Sequence, residues 1–193
     1  MKRAELQALL FTSLAMTGCT APDDSPYGRC GRAMIRMASA YESDGKTFLA
    51  GGDPVNALAA FQYGLGWLHC GEASGLLTCR GEHPGCPFNE ASEPVPASHS
   101  AKLDEKTRRY ARLLDTALAS VTPAPDPGAS PYTFAVQVQF IAMIYLRQGT
   151  MLAASGKRED ALACFSYGHG WLDAGVQAGL FIIHANREIF TVD

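Results

Sequence analysis

The sequence predicts an all-α protein: two tandem three-helix units forming a pseudo-symmetric helical bundle, with a short C-terminal β-hairpin. Three observations carry that reading. First, residues 1–77 align with 105–181 without a gap at a constant offset of 104, with 23 identities in 77 positions counted along the two stretches. A fixed-period match of that length marks a duplicated unit. Second, apolar residues recur at helical spacing in three segments of each unit. Third, Pro-rich stretches and Gly-bearing turns fall between those segments, where they end helices.

The first unit spans 1–78. Its opening helix is residues 1–18, "MKRAELQALLFTSLAMTG". With two basic residues, an apolar run and Cys19 close behind, the stretch imitates a secretory or lipoprotein signal. Glu5 and Gln7 interrupt that order, and the segment aligns with internal residues 105–123, where no signal operates. A loop with Pro22 and Pro26 leads to the second helix, near 29–49. "GGDP" then makes a turn, with Asp53 placed as N-cap and Pro54 as the first helical residue of the third helix. Residues 79–100 hold four prolines and no periodicity, and read as a linker.

The second unit, 101–193, has helices at about 101–121, 132–154 and 158–180. The first carries Leu103, Tyr110, Leu113, Leu114, Ala117, Leu118 and Val121 at helical spacing. Gly156 stops the second helix, and Glu159 and Asp160 suit the first turn of the third. Two β-prone runs around Ala185 and Asn186 predict the hairpin. The second helix, "FAVQVQFIAMIYL" from Phe134, is apolar almost all round, so it should be covered on every side, partly by the first unit. The equivalent helix of the first unit is more polar, with Arg29, Arg32, Arg36 and Glu42.

The third helices carry the sequence's most distinctive words, "FQYGLGWLHCG" (61–71) and "FSYGHGWLDAG" (165–175). A glycine inside a helix costs about 1 kcal/mol relative to alanine, so several in one helix need a packing reason. On a helical wheel Ala161, Gly168 and Gly175 share one edge of the apolar face, as do Ala57, Gly64 and Gly71. That ridge is expected to take the close backbone approach, with Tyr63, Tyr167, Trp67 and Trp171 bordering it and Gly170 off it. Gly168→Leu is then expected to be more destabilising than Gly170→Leu. The glycines read as packing devices rather than a phosphate cradle.

His169 and Asp173, four apart, share one side of the third helix and suit metal binding or proton transfer. Their counterparts in the first unit are Leu65 and His69, so the pair is not kept inside the chain, and a partly buried structural histidine is the preferred reading. His69, Cys70, Cys79, His83 and Cys86 cluster at and after the end of the third helix of the first unit. Cys79, His83 and Cys86 have short zinc-like spacings, but no second ligand half accompanies them, and exposed thiols are the plainer reading. The stretch "GKREDALACFSYGHGWLDAGVQAGLF" followed by "REIFTVD" resembles the archaeal domain-of-unknown-function family 357, small helical proteins marked by "YxHGWLDAGxxxGLF". Copy one resembles it more distantly and lacks the terminal strand. The resemblance implies a compact helical bundle and an archaeal cytosol, and it implies no catalytic residues.

Functional classes narrow accordingly. The net charge is -3, with 7 basic and 10 acidic residues through Ala97 and 9 of each after it. There is no basic footprint for nucleic acid and no apolar run long enough to span a membrane. P-loop, nucleophile-elbow, zincin and dinucleotide motifs are missing. The expectation is a non-catalytic helical protein-interaction module in the cytoplasm, without cofactor, whose two repeats pair within the chain and whose partner is a protein. The alternative is a small-ligand- or metal-dependent enzyme or sensor with a site between the repeats. The ligand or partner surface would be His169, Asp173, Tyr167, Trp171, Tyr63 and Trp67.

Overall fold

The computed structural model describes residues 1–80 and 92–191. Among these residues six helices form the bundle: α1 (Arg3–Met16), α2 (Pro26–Ala50), α3 (Pro54–Ala73), α4 (Ser100–Ala119), α5 (Ser130–Ala154) and α6 (Arg158–Gln177). Four three-residue strands accompany them: β1 (Thr17–Cys19), β2 (Leu77–Cys79), β3 (Val121–Pro123) and β4 (Phe181–Ile183). Shifting α2, α3, β1 and β2 by 104 residues gives α5, α6, β3 and β4 to the residue. The duplication read from the sequence is therefore a duplication of structure.

Helix boundaries follow local chemistry. Glu5, which breaks the signal-like pattern, accepts a hydrogen bond from the Lys2 N–H at 2.9 Å and closes the start of α1. Ser25 caps α2 through the Gly28 N–H at 2.9 Å, with Pro26 just inside the helix rather than in the loop. Asp53 caps α3 through the Asn56 N–H at 3.2 Å, with Pro54 behind it. Gly75 and Gly179 follow the third helices with φ of 74° and 73°. They supply the left-handed turn that ends a helix and are not interior glycines at all.

The sheets differ from expectation. Phe181–Ile183 does not fold onto the residues after Asn186. It pairs antiparallel with Val121–Pro123, Val121 opposite Ile183 and Pro123 opposite Phe181. Arg187–Ile189 forms a 3₁₀ turn instead, entered through Asn186 at φ 51°. The strand leaving α4 offers a free edge beside the end of α6, and a backbone edge accepts any extended neighbour whatever its sequence distance. The same pairing closes the first repeat, with Thr17 opposite Cys79 and Cys19 opposite Leu77. The first repeat, expected to lack a terminal strand, has β2, where Leu77 fills the place of Phe181. Residues 79–100 are likewise not all linker: Cys79 ends β2, Ala97–His99 is a 3₁₀ turn and α4 begins at Ser100.

At the centre, α3 packs across α6, flanked by α1 and α2 on one side and by α4 and α5 on the other. Sixteen of the twenty residues of α3 and fifteen of the twenty of α6 are buried. Their crossing falls at Gly66 and Gly170. A Cβ on Gly66 would stand 2.5 Å from the Tyr167 carbonyl oxygen and 3.0 Å from the Gly170 Cα. A Cβ on Gly170 would overlap the Tyr63 carbonyl oxygen and stand 3.2 Å from the Gly66 Cα. The ridge chosen on the wheel faces elsewhere: a Cβ on Gly168 would meet Tyr145 Cβ at 3.0 Å and Leu114 Cδ2 at 3.1 Å, both in its own repeat. The expected order of Gly168 and Gly170 is thus reversed, because the backbone contact between repeats uses the other glycine.

A second correction concerns α5. It buries only Ala135, Val138, Ala142 and Gly149, and the first repeat does not cover its outer side. The helices enclosed on every side are α3 and α6.

Candidate functional site

Where Gly66 and Gly170 bring two backbones together, the tyrosine three residues earlier on each helix reaches into the opposite repeat. The Tyr63 hydroxyl donates to Asp173 Oδ2, and its oxygen stands 3.0 Å from Thr191 Oγ1. The Thr191 N–H donates to the same carboxylate oxygen at 3.2 Å. Asp173 is fully buried. One turn earlier on α6, His169 Nε2 lies 3.7 Å from Asp173 Oδ1, beyond hydrogen-bond reach. Both of these atoms are buried without a hydrogen-bond partner.

The mirror contact is made by Tyr167, whose hydroxyl lies 2.7 Å from His69 Nδ1. His69 holds the position that Asp173 holds in the second repeat, and the position of His169 is taken by the buried Leu65. Each reaching tyrosine packs on a second tyrosine from the neighbouring helix. Ring centroids are 4.3 Å apart for Tyr41 and Tyr63 and 4.7 Å for Tyr145 and Tyr167.

A cavity of about 300 Å³ opens beside Tyr63 and His169, walled by Tyr41 from α2 and Tyr110 from α4, with Asp44 and Lys106 at its rim. The Lys106 ammonium lies 5.9 Å above the Tyr110 ring, within cation–π range. Burial first, then the nearby Asp173 charge, pushes the Tyr63 phenol well above its ordinary pKa. Burial also raises Tyr41 and Tyr110. At neutral pH these phenols keep their protons, so they offer hydrogen bonds rather than act as bases. The carboxylate buried behind this cavity, Asp173, is already engaged by Tyr63 and Thr191. The arrangement is equipped to hold a polar molecule, and it presents no activated nucleophile.

Of the six residues singled out in the sequence, Tyr63 and His169 line this cavity and Asp173 backs it. Tyr167 belongs to the mirror contact. Trp67 and Trp171 are core residues, 6.4 Å centroid to centroid from Tyr63 and Tyr167, and their indole nitrogens are buried without partners. None of the six is exposed, so they form the seam between repeats and not an outer surface. Tyr41 was signalled by its identity with Tyr145. Tyr110 is legible only as part of the apolar face of its helix and Lys106 only as the repeat of Lys2, while Thr191 carries no signal, because only folding brings their elements to this place. Among the zinc candidates, Cys79 sits at the end of β2, while His83 and Cys86 lie outside the described residues. Among the described residues no three metal-ligating side chains cluster, and no helix is long and apolar enough to cross a membrane.

The model of a family described as protein of unknown function (DUF357) matches the chain twice, at residues 7–77 and 109–181. No curated protein and no solved structure matches it. Because the two segments take up most of the chain and fall on the two structural repeats, the protein belongs to the DUF357 family and carries that family's unit in two tandem copies.

Proposed function

We propose that the protein is a non-catalytic binding module that holds a small polar organic molecule in the cavity between its repeats. The observation that carries this reading is His169. It is a nearly buried imidazole whose Nε2 has no hydrogen-bond partner, it lines the cavity, and the quasi-equivalent residue is a leucine. An unsatisfied buried polar atom costs about 1–3 kcal/mol, and the mirror position demonstrates that the fold accepts an apolar side chain there. Asp173 Oδ1 at 3.7 Å is beyond hydrogen-bond reach of that nitrogen, and a small turn of the ring toward an acceptor held in the cavity would offset the cost. Cavities of this size are at the small end of ligand sites, and phenol, imidazole and ammonium groups around an aromatic wall suit a compact molecule with several acceptors.

The test pairs His169→Leu with the parent chain in a thermal-shift and proton-NMR screen of fragments below about 250 Da. Expected is at least one fragment that raises the parent's melting temperature and perturbs the His169 ring resonances, with both effects lost in His169→Leu. A variant more stable than the parent, together with no fragment acting on the parent, would overturn the reading. A second reading, a protein-interaction module, is favoured by the apolar outer face of α5.

A further inference from the structure

Among the described residues, four of the large apolar side chains left in water gather on the outer face of α5, while Phe11, Tyr27, Phe48 and Ile182 are scattered over other elements. Val136, Phe140, Ile144 and Met151 are 42%, 55%, 41% and 73% exposed. Their spacings of four, four and seven residues put them on one side of the helix. The fold does not require this. At the same positions α2 carries Arg32, Arg36, Ala40 and Thr47, and Arg32 is paired with Asp23 at 2.5 Å. Two helices with one backbone role thus present opposite surfaces, one wetted by charge and one apolar. Contiguous exposed apolar patches of this kind mark association sites.

We infer that this face is covered in solution by the same face of a second copy of the chain, forming a two-fold dimer. Three features select that occupant. The face carries both a knob and a hole: Phe140 stands at the lip of an open groove of about 490 Å³ between α4 and α5, floored by Leu118, Ala119, Met143 and Leu146. A two-fold interface needs one patch to be complementary to itself, and a patch bearing a large ring beside an apolar groove meets that condition. The charges are sparse and balanced. Arg147 is the one charged residue of α5, and Asp115 borders the groove from α4. A two-fold can set these unlike charges across from each other, whereas nothing on the face would specify a strongly charged foreign partner. The area is also suitable. A 25-residue helix is about 37 Å long and about 10 Å wide, so the strip supplies on the order of 400 Å² per copy. The total of about 800 Å² lies below that of standard stable complexes, which makes the dimer reversible and concentration-dependent.

The experiment is sedimentation equilibrium of the full chain between about 5 and 300 µM, beside Val136→Arg/Phe140→Arg, which installs the residues of α2. Expected is a mass that rises from one chain toward two across that range, and a double variant that remains a single chain throughout with an unchanged helical CD spectrum. Because both positions are exposed and the first repeat carries arginine at each, the variant is expected to fold. A parent chain that stays monomeric at every concentration would overturn the inference. So would a dimer that survives both arginines, since the contact would then lie elsewhere.

Discussion

Tyr63 and Tyr167 make the same reach across the bundle, yet one ends on a carboxylate sealed in the core and the other on an imidazole nearer the surface. The backbone that aims them is common to both: a glycine three residues later lets α3 and α6 touch, and a tyrosine from α2 or α5 stacks behind. What differs is the residue that receives the hydroxyl and the residue one turn before it, His169 against Leu65. Geometry is thus shared between the repeats while polar chemistry is concentrated on one side of the seam. The crossing is the structural invariant and the Tyr63 side is the specialised half.

The largest expected effect comes from breaking the crossing itself. In Gly170→Ala the new methyl meets the Tyr63 carbonyl and the Gly66 backbone, which cannot rotate away, so the helices must separate. A loss on the order of 3 kcal/mol, the upper range of overpacking, is expected. In Gly168→Ala the new methyl meets Tyr145 Cβ at 3.0 Å, where α5 must give by a few tenths of an ångström, and Leu114 Cδ2 at 3.1 Å, the end of a side chain that can yield. The helix propensity of alanine returns about 1 kcal/mol, leaving a net change within about 1 kcal/mol of zero. Urea midpoints of the two variants measure the difference. Equal midpoints would mean that the two repeats do not meet at Gly66 and Gly170.

That reversal indicates how far sequence alone reaches. The repeat, the six helices, the Asp53 cap and the packing role of the glycines were all legible, because periodicity and capping are local properties. A helical wheel orders residues around one axis but does not say which neighbour stands on which side. It found the Ala161, Gly168 and Gly175 edge, which does lie against a neighbouring helix at Tyr145 and Ala142 of α5, but could not show that the closer backbone contact is made by Gly170. The strands were misassigned for a related reason. Phe181–Ile183 has β-prone residues wherever it pairs, and its true partner is some 60 residues away at the end of α4. At the cavity, His169 and Tyr63 stood out as members of a repeated word, while Tyr110, Lys106 and Thr191 come from other elements with no word in common. The apolar character of α5 was plain in the sequence, but its cover was wrongly assigned to the first repeat, since only the packed bundle reveals that this side faces water.

A middle-sized effect tests the Tyr63 contact by pH. Tyr63 has a folded pKa raised by burial and by Asp173. Its contribution is fully present below the unfolded value, about 10, and is lost as pH rises toward the folded one. Over that interval each pH unit removes about 1.4 kcal/mol from the difference between folded and unfolded states. Tyr63→Phe removes this group from the titration. The stability gap between parent and variant, measured by denaturant at pH 7 and again near pH 11, should therefore shrink or change sign at the higher pH. A gap that stays constant would mean that Tyr63 ionises as freely in the folded chain as in the unfolded one.

The smallest effect compares how the two central helices begin. Asp53 accepts from the Asn56 backbone at 3.2 Å, from its side chain at 2.7 Å and from Lys102 Nζ at 2.5 Å, whereas Lys157, its counterpart at the start of α6, makes no capping bond. Burial alone would raise the Asp53 carboxyl, but the bonds from Lys102 and Asn56 outweigh it and hold it below its ordinary pKa. Its contribution is therefore present above the unfolded value and fades as pH falls through the folded one. Asp53→Ala should cost about 1 kcal/mol at neutral pH and progressively less in acid, where the parent loses the same bonds by protonation. The reciprocal change, Lys157→Asp, supplies α6 with the missing acceptor, yet it places a carboxylate beside Glu159 and Asp160, which already accept from the Val95 and Ser92 N–H groups at 2.9 and 2.6 Å. Like charges in one turn oppose the gain, so the reciprocal variant should stabilise by well under 1 kcal/mol. If it instead restored as much as Asp53→Ala removes, the start of α6 would be short of a cap and not, as its bonds to residues 92 and 95 indicate, already committed to holding the segment that leads into α4.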